Sequence, residues 1–404
     1  MLERSLLLGV DAGSAKAAAV LADLTGGEPQ VIGVGVAQGG GVRRGLVVDL
    51  AATREAVQQA VNKAREMADQ PDVVRAVISI SGPHIQSLVG TAELPVSRPS
   101  AGVSSEDIRR VLEQAAAVEL PVGREVVHVV PRAFRLDGAE GILDPLGLSG
   151  RELEAEAHLI TAERLPLQNH FRAAEQAGLE IVDYQLAIRA AGAAVLTPEE
   201  REVGVLLLDI GAETTGVAVY DSGYLWYVSV LPVGGAHITS DIASLLRTPV
   251  GMAERLKLER GWASPDLCPD THFEVPTPSG LNTREVADKQ LAAIIQSRVE
   301  EILQLAAQQV KRSGYPGLFP AGVVITGGGA RLQGLLEAAA DSLSLPARLG
   351  VPADPLVAEP ELATAAGLVQ FGARLVADEA AVAEAREQSD TWHRLRSWFQ
   401  RLFG

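Results

Sequence analysis

The chain has 404 residues, 47% hydrophobic but only 4% aromatic, and a formal net charge of −16. That length exceeds one compact core, so about two to four domains are expected. The acidic surface excludes nucleic acid as a general partner and confines membrane contact to a local basic patch, while a lone cysteine, Cys268, excludes an intrachain disulfide.

With so few aromatics the core must be built from Ala, Val, Leu and Ile, the composition of sheets covered by helices. The first apolar stretch is only a few residues long and runs straight into an Asp-Gly turn, so it reads as a strand and not as a signal peptide. No run of about 18 apolar residues is present to span a bilayer. Residues 5–10 and 17–22 read as a hairpin, 31–36 and 46–48 as short strands, 53–68 as a helix and 73–81 as a buried strand. The turn of the first hairpin is VDAGSAK. Gly13, Ser14 and Ala15 could offer backbone N–H groups to phosphate oxygens, Asp11 could hold a hydrated Mg²⁺, and Lys16 could offset phosphate charge. The same letters also make an ordinary hairpin turn.

From Gly82 to about Ile160 the texture changes to short strands around one helix, 104–117, which Ser104 or Ser105 could cap with Glu106 and Asp107 in its first turn. This reads as an inserted α+β module. Residues 163–178 are expected to form a helix closed by Gly178, 180–184 a strand and 185–196 an Ala-rich helix. Pro198 and the run EERE read as a hinge. Then LLLDIGAETT, Leu206 to Thr215, repeats the apolar-strand, Asp, Gly pattern of LLLGVDAG about two hundred residues earlier, which suggests a duplicated domain. Here Asp209 would flank the metal opposite Asp11, and Gly211, Ala212 and Thr214 would face the phosphates. Glu213 is either a metal or water contact or a turn residue facing solvent.

Residues 235–260 and 282–312 are strongly helical in pattern, with a turn-rich stretch between them. The strand 321–326 enters Gly327, Gly328, Gly329 and Ala330, then a helix from about Leu332. Glycines there let backbone lie flat against a base or ribose, and the helix N-terminus favours an anion. Neither the dinucleotide-binding nor the P-loop fingerprint is present. Residues 361–377 form a helix, and 378–390 read as an acidic linker. In the last 14 residues, TWHRLRSWFQRLFG, Trp392, Leu395, Trp398, Phe399, Leu402 and Phe403 recur at helical spacing, with Arg394, Arg396 and Arg401 on the remainder. This is the pattern of a helix lying in a membrane interface, or of one docked on the protein's own core or a partner. Full burial of five or six such side chains at about 1.5–3 kcal/mol each is worth roughly 10 kcal/mol gross. Each Arg adds about 1 kcal/mol near anionic lipid, and ordering costs about 1 kcal/mol per residue, so a single tail binds weakly.

Two Asp-Gly hairpins followed by a triple glycine before a helix is the layout of the actin, hexokinase and heat-shock-chaperone ATPase superfamily. Segments VVRAVISISGPHIQS, EDIRRVLEQA, LDGAEGILDPLGLSGRELEAEAHLIT, VGGAHITSDIA and AERLKLERG resemble, in order and over nearly the whole chain, the bacterial cell-division FtsA family. The resemblance implies an actin-like two-lobed ATPase fold of duplicated ribonuclease-H-like domains. Residues 1–81 and 162–198 would form the first lobe, 82–161 an inserted α+β subdomain for filament and partner contacts, 199–240 and 313–377 the second lobe, and 241–312 a nucleotide-proximal subdomain. The linker 378–390 and an amphipathic helix, 391–404, complete the chain.

The resemblance also implies ATP and Mg²⁺ as cofactors, and a polymer that tethers the tubulin-like protein FtsZ to the cytoplasmic face of the membrane at the division site and recruits other division proteins. Gly234 and Gly235 belong to its nucleotide site. Glu254 and Lys257 match its ribose and adenine contacts, although spacing alone allows a surface ion pair. Arg298, with Lys289 as a neighbour, would receive the FtsZ C-terminal peptide, unless that helix face is merely solvated. Where active members of the superfamily carry a Gln or Glu to orient water, this chain aligns Arg189, with Gln185 one turn earlier, so slow hydrolysis at most is expected. A pilus or secretion scaffold of the same fold and a sugar kinase are the alternatives; the first class usually lacks such a C-terminal helix, and no segment supplies the sugar-pocket Asp of the second.

Overall fold

The computed structural model describes residues 5–69, 72–276 and 283–386. Three strands open the chain, β1 (Leu6–Ala12), β2 (Lys16–Asp23) and β3 (Gln30–Gln38), followed by a small hairpin of β4 (Val42–Arg43) and β5 (Leu46–Val47). Helix α1 (Leu50–Met67), whose first turn is capped by the Asp49 carboxylate accepting from the Ala52 N–H at 3.0 Å, leads to β6 (Arg75–Ile80). A separate four-stranded unit comes next: β7 (Gln86–Pro95), α2 (Ser105–Ala116), β8 (Arg124–Leu136), β9 (Ala139–Ile142) and β10 (Glu152–Glu163). Helix α3 (Arg164–Gln176), strand β11 (Glu180–Leu186) and helices α4 (Ala187–Val195) and α5 (Pro198–Val203) return to the first sheet and leave it.

The second half runs β12 (Val205–Ile210), β13 (Thr215–Asp221), β14 (Tyr224–Leu231), α6 (Gly235–Leu245), α7 (Val250–Arg260), β15 (His272–Pro276), β16 (Thr283–Ala287), α8 (Asp288–Arg312), β17 (Val323–Thr326), α9 (Leu335–Leu343), β18 (Ala347–Leu349) and α10 (Ala363–Arg386). Its sheet has the order β14-β13-β12-β17-β18, and the first sheet has the order β3-β2-β1-β6-β11. Each is an antiparallel meander whose first strand continues into two parallel strands. The duplication read from two short motifs is therefore a duplication of topology. Side chains of both halves, among them Ile80, Leu186, Ile188, Leu207 and Val324, share one buried cluster, so the lobes meet through a continuous apolar joint. Helix α10 seals the far face of the first sheet; at Gly367 it lies so close to α4 that a Cβ would collide with the Ala190 carbonyl.

In the four-stranded unit, Ser104, one of the two caps expected, starts α2 and forms a capping box: its hydroxyl accepts from the Asp107 N–H, and the Asp107 carboxylate accepts from the Ser104 N–H at 3.0 Å. The same carboxylate accepts from the Ser97 N–H and hydroxyl, and these bonds, against the opposing effect of burial, hold its pKa down at about 2.

Several expectations change. The EERE segment is not a hinge but α5, closed by a Thr197–Glu200 capping box with Pro198 in its first turn; Arg201 then donates to the Gly192 and Leu196 carbonyls at the end of α4. Residues 235–260 form two helices because Pro249 lacks an N–H and Arg247 takes φ +41°. Residues 283–287 are a strand paired with β15, and α8 starts only at Asp288. Beyond Gly327–Gly329 a 3-10 turn intervenes, and α9 waits for Gly334, at φ +75°, before starting at Leu335. Helix α10 runs on to Arg386, so the first nine residues of the expected acidic linker are helical, in keeping with their Ala/Glu composition. The segment 391–404, with all nine residues read as membrane-facing, lies outside the described residues.

Candidate functional site

The turns after β1 and β12 face each other across a cleft of about 640 Å³, a volume that suits a small organic ligand. Both are built alike: Gly13 donates its N–H to the Lys16 carbonyl and Gly211 to the Thr214 carbonyl, each at 2.9 Å. Asp11, Gly13, Ser14, Ala15 and Lys16 line the first lip; Asp209, Gly211, Ala212, Glu213 and Thr214 line the second. Gly327, Gly328 and Gly329 form the third wall, and Gly235, Glu254 and Lys257 a fourth. Gly327 is locked in place: its φ is +82°, and a Cβ there would collide with the Asp209 carboxylate.

Two expected residues do not line the cleft. Gly234 is used behind it: it sits against the Gly211 and Ala212 carbonyls, which accept from the Gly235 and Ala236 N–H groups at 2.9 and 2.7 Å. Ala330 packs into the apolar core of the second lobe.

The two carboxyls of the turns are both perturbed by burial. Burial and the neighbouring Asp11 push the Asp209 carboxyl up to about 7, against the opposing pull of Lys16 and the Thr364 hydroxyl. Burial also raises Asp11, although Ser79 donates its hydroxyl to Asp11 Oδ1 at 2.6 Å and Lys16 and His170 lie near. Burial lowers Lys16, and Glu361, Asp11 and Asp209 oppose that shift. Two buried carboxyls, both raised by burial and one of them also by the other, fit a hydrated divalent cation, which would relieve both. No group of three or more metal-ligating side chains occurs among the described residues, so waters or a ligand's oxygens would have to complete the shell.

Glu213 is committed elsewhere. Arg43 Nη1 donates to its Oε1 at 2.9 Å and the Arg44 N–H to its Oε2 at 2.7 Å, so it clasps the β4–β5 hairpin of the first lobe to the second. Lys257 Nζ donates to Glu254 at 2.8 Å and to the Gly235 carbonyl at 3.1 Å, so this pair is both an intrahelical bridge and a cleft wall.

Arg189 departs from expectation. It is buried against Gln185 Oε1 at 3.0 Å and over the Phe371 ring, and Ala187 and Ile188 are the α4 residues that reach the cleft. A guanidinium is thus absent from the place where water would be oriented, and so is any carboxamide of α4. Of the expected peptide contacts, Arg298 is held in a two-pronged bond by Asp241 at 2.7 and 3.0 Å, with Glu301 also bound, while Lys289 makes an exposed bridge to Asp270 at 3.4 Å. Ser79, Ser81, His170, Arg331, Glu361 and Thr364 also line the cleft and were not anticipated. Ser79 and Ser81 could have been found from their place at the C-terminal end of a parallel strand, where α/β folds bind ligands.

A family model described as cell division protein FtsA matches residues 206–367, and one described as the SHS2 domain inserted in FtsA matches residues 82–161. The chain is 33% identical over 412 residues to the cell division protein FtsA of Pseudomonas aeruginosa, covering 98% of each chain. It is 36% identical over 376 residues to that of Bacillus subtilis, covering 93% of this chain and 85% of the other. In structure it resembles the PilM–PilN type IV pilus biogenesis complex at TM-score 0.66 and 19% identity, over 92% of this chain and 99% of that one. It also resembles MreB5 of Spiroplasma citri bound to AMPPNP at TM-score 0.58 and 14% identity, over 94% and 99%. At those identities the structures speak for the actin-like fold alone. With a doubled sheet, opposed Asp-Gly turns, an inserted unit at 82–161 and relatives at a third identity from end to end, the chain belongs to the FtsA family of actin-like cell-division proteins.

Proposed function

We propose that this chain binds Mg²⁺–ATP in the cleft and, in that state, assembles into filaments that tether FtsZ to the inner face of the membrane at the division site. The observation that carries the nucleotide reading is the opposition of the Gly13–Lys16 and Gly211–Thr214 turns across one cleft, with Asp11 and Asp209 between them. When bound, Mg²⁺ would screen the phosphate charge. Asp11 and Asp209 would hold its waters, Lys16 would meet a phosphate oxygen, and Glu254 and Lys257 would contact the ribose and adenine.

For FtsZ, an acidic C-terminal peptide would exchange with Asp270 at Lys289, an exposed bridge that costs little to open. Arg298 would have to leave Asp241, so it serves as the second and tighter contact. The inserted subdomain would meet neighbouring subunits and other division proteins. Residues 391–404 would lie in the interface of an anionic membrane, and many weak tails on one filament would bind firmly.

Calorimetric titration of the full chain with Mg²⁺–ATP tests the nucleotide reading. One site per chain with a Kd in the micromolar range or tighter is expected. No heat, together with no change in melting temperature at saturating nucleotide, would contradict it.

A further inference from the structure

His170 sits on α3, and nothing in the turn motifs points to it. It is 6% exposed and flanked on the buried face of its helix by Leu167, Ala173 and Ala174, yet it lines the cleft together with Asp11 and Ser79. Nε2 lies 2.9 Å from the Gly45 carbonyl oxygen. A carbonyl only accepts, so Nε2 carries the hydrogen and Nδ1 of the neutral ring bears a free lone pair. Nδ1 has no hydrogen-bond partner among the described residues, and it is not among the sealed, unsatisfied buried nitrogens such as those of His84. It is an unpartnered acceptor, not sealed from solvent, on a residue that lines the cleft.

We propose that His170 holds the water that attacks the terminal phosphate of bound ATP, in place of the carboxamide or carboxylate that α4 does not supply. This rests on the Mg²⁺–ATP reading above. Nδ1 accepts a hydrogen bond from the water and so aims its oxygen lone pair. As the water oxygen bonds to the γ-phosphorus, the bond to the β–γ bridging oxygen breaks and its electron pair leaves with ADP. One water proton stays on the released phosphate; the other is taken by Nδ1 and passed to solvent. The ring's aim depends on Gly45, which lies on the loop whose Arg43 and Arg44 are gripped by Glu213 of the opposite lobe. Gly45 thus ties the ring to the hairpin that Glu213 clasps across the lobes.

Three substitutions separate this role from a structural one. In His170→Asn the amide oxygen falls where Nδ1 was, so the acceptor is kept and the bond to Gly45 is lost. In His170→Gln the amide nitrogen falls where Nε2 was, so the bond to Gly45 is kept and the acceptor is lost. His170→Leu loses both. All three should bind Mg²⁺–AMPPNP within about threefold of the parent. Asn, which keeps an acceptor but loses the Gly45 bond and takes no proton, should hydrolyse more slowly than the parent yet faster than Gln and Leu, which should lose about tenfold or more. In ¹⁵N-histidine-labelled protein, Mg²⁺–AMPPNP should shift the Nδ1 resonance of His170 and leave Nε2 protonated.

Hydrolysis kept by Gln and lost by Asn, hydrolysis at the parent rate in Leu, no hydrolysis by the parent, or an unmoved Nδ1 resonance would each overturn the proposal. If the parent fails to bind AMPPNP at all, the nucleotide reading falls with it; if it binds and any of the other results appears, only the role of His170 falls.

Discussion

Asp209→Asn is expected to stabilise the empty protein above pH 7 and to weaken Mg²⁺–ATP binding about 100-fold. Both effects come from one carboxyl. In the folded chain burial and Asp11 raise its pKa to about 7, well above the ordinary 3.8. A carboxyl raised by folding contributes its stability below the unfolded value, and that stability is lost as pH climbs through the folded value. Between about pH 4 and pH 8 the loss is at most about 4 kcal/mol. Asn never charges, so the gap between parent and variant should be smallest near pH 4, widen steadily to about pH 7 with the variant the more stable, and stay constant above that. A melting series from pH 4 to 8 checks this, and parallel curves would contradict it. Added Mg²⁺–ATP should reverse the order at pH 8, because the charged acid is the form a cation needs. Losing one charge-assisted contact of up to about 3 kcal/mol corresponds to the expected drop in affinity, which calorimetry reads directly.

Removal of residues 391–404 should abolish binding to anionic vesicles while leaving nucleotide affinity within about twofold. The segment carries five or six large apolar side chains and three arginines, in a chain whose net charge of −16 repels an anionic surface everywhere else. No described helix is long and apolar enough to cross a membrane. Co-sedimentation with vesicles of high and low anionic lipid content distinguishes the two contributions. The full chain should pellet with the anionic vesicles and lose most binding at high salt. A truncated chain that still pellets would show that another surface makes the contact.

The fold was legible where the pattern and the physics agree. Apolar strands ending in Asp-x-Gly stand at 6–13 and again at 205–211, and the structure turns that echo into two sheets of one topology. The start of α2 was readable because a Ser before acidic residues favours a helix N-terminus; the structure chooses Ser104 over Ser105, since Asp107 three residues on completes a capping box. Errors fell where local signals conflict. Charged letters after Pro198 look like a hinge, yet Thr197 and Glu200 cap a short helix there, and tertiary bonds from Arg201 hold it. The apolar spacing of 235–260 hides a break that Pro249 enforces.

The cleft was half legible. Residues inside the turns were found because glycine and Asp spacing advertises them. Ser79, His170, Glu361 and Thr364 come from four other elements and converge only once the chain folds. Arg189 shows the limit of register: its neighbours Ala187 and Ile188 face the cleft, and one residue further the helix has already turned the side chain into the core.

The central claim is that both turns grip one phosphate chain. A crystal structure of the full chain with Mg²⁺–AMPPNP tests it most directly. The account places the phosphates between Gly13–Lys16 and Gly211–Thr214, with the metal between Asp11 and Asp209. Phosphates held by one turn alone, or a metal bound away from both carboxylates, would contradict it.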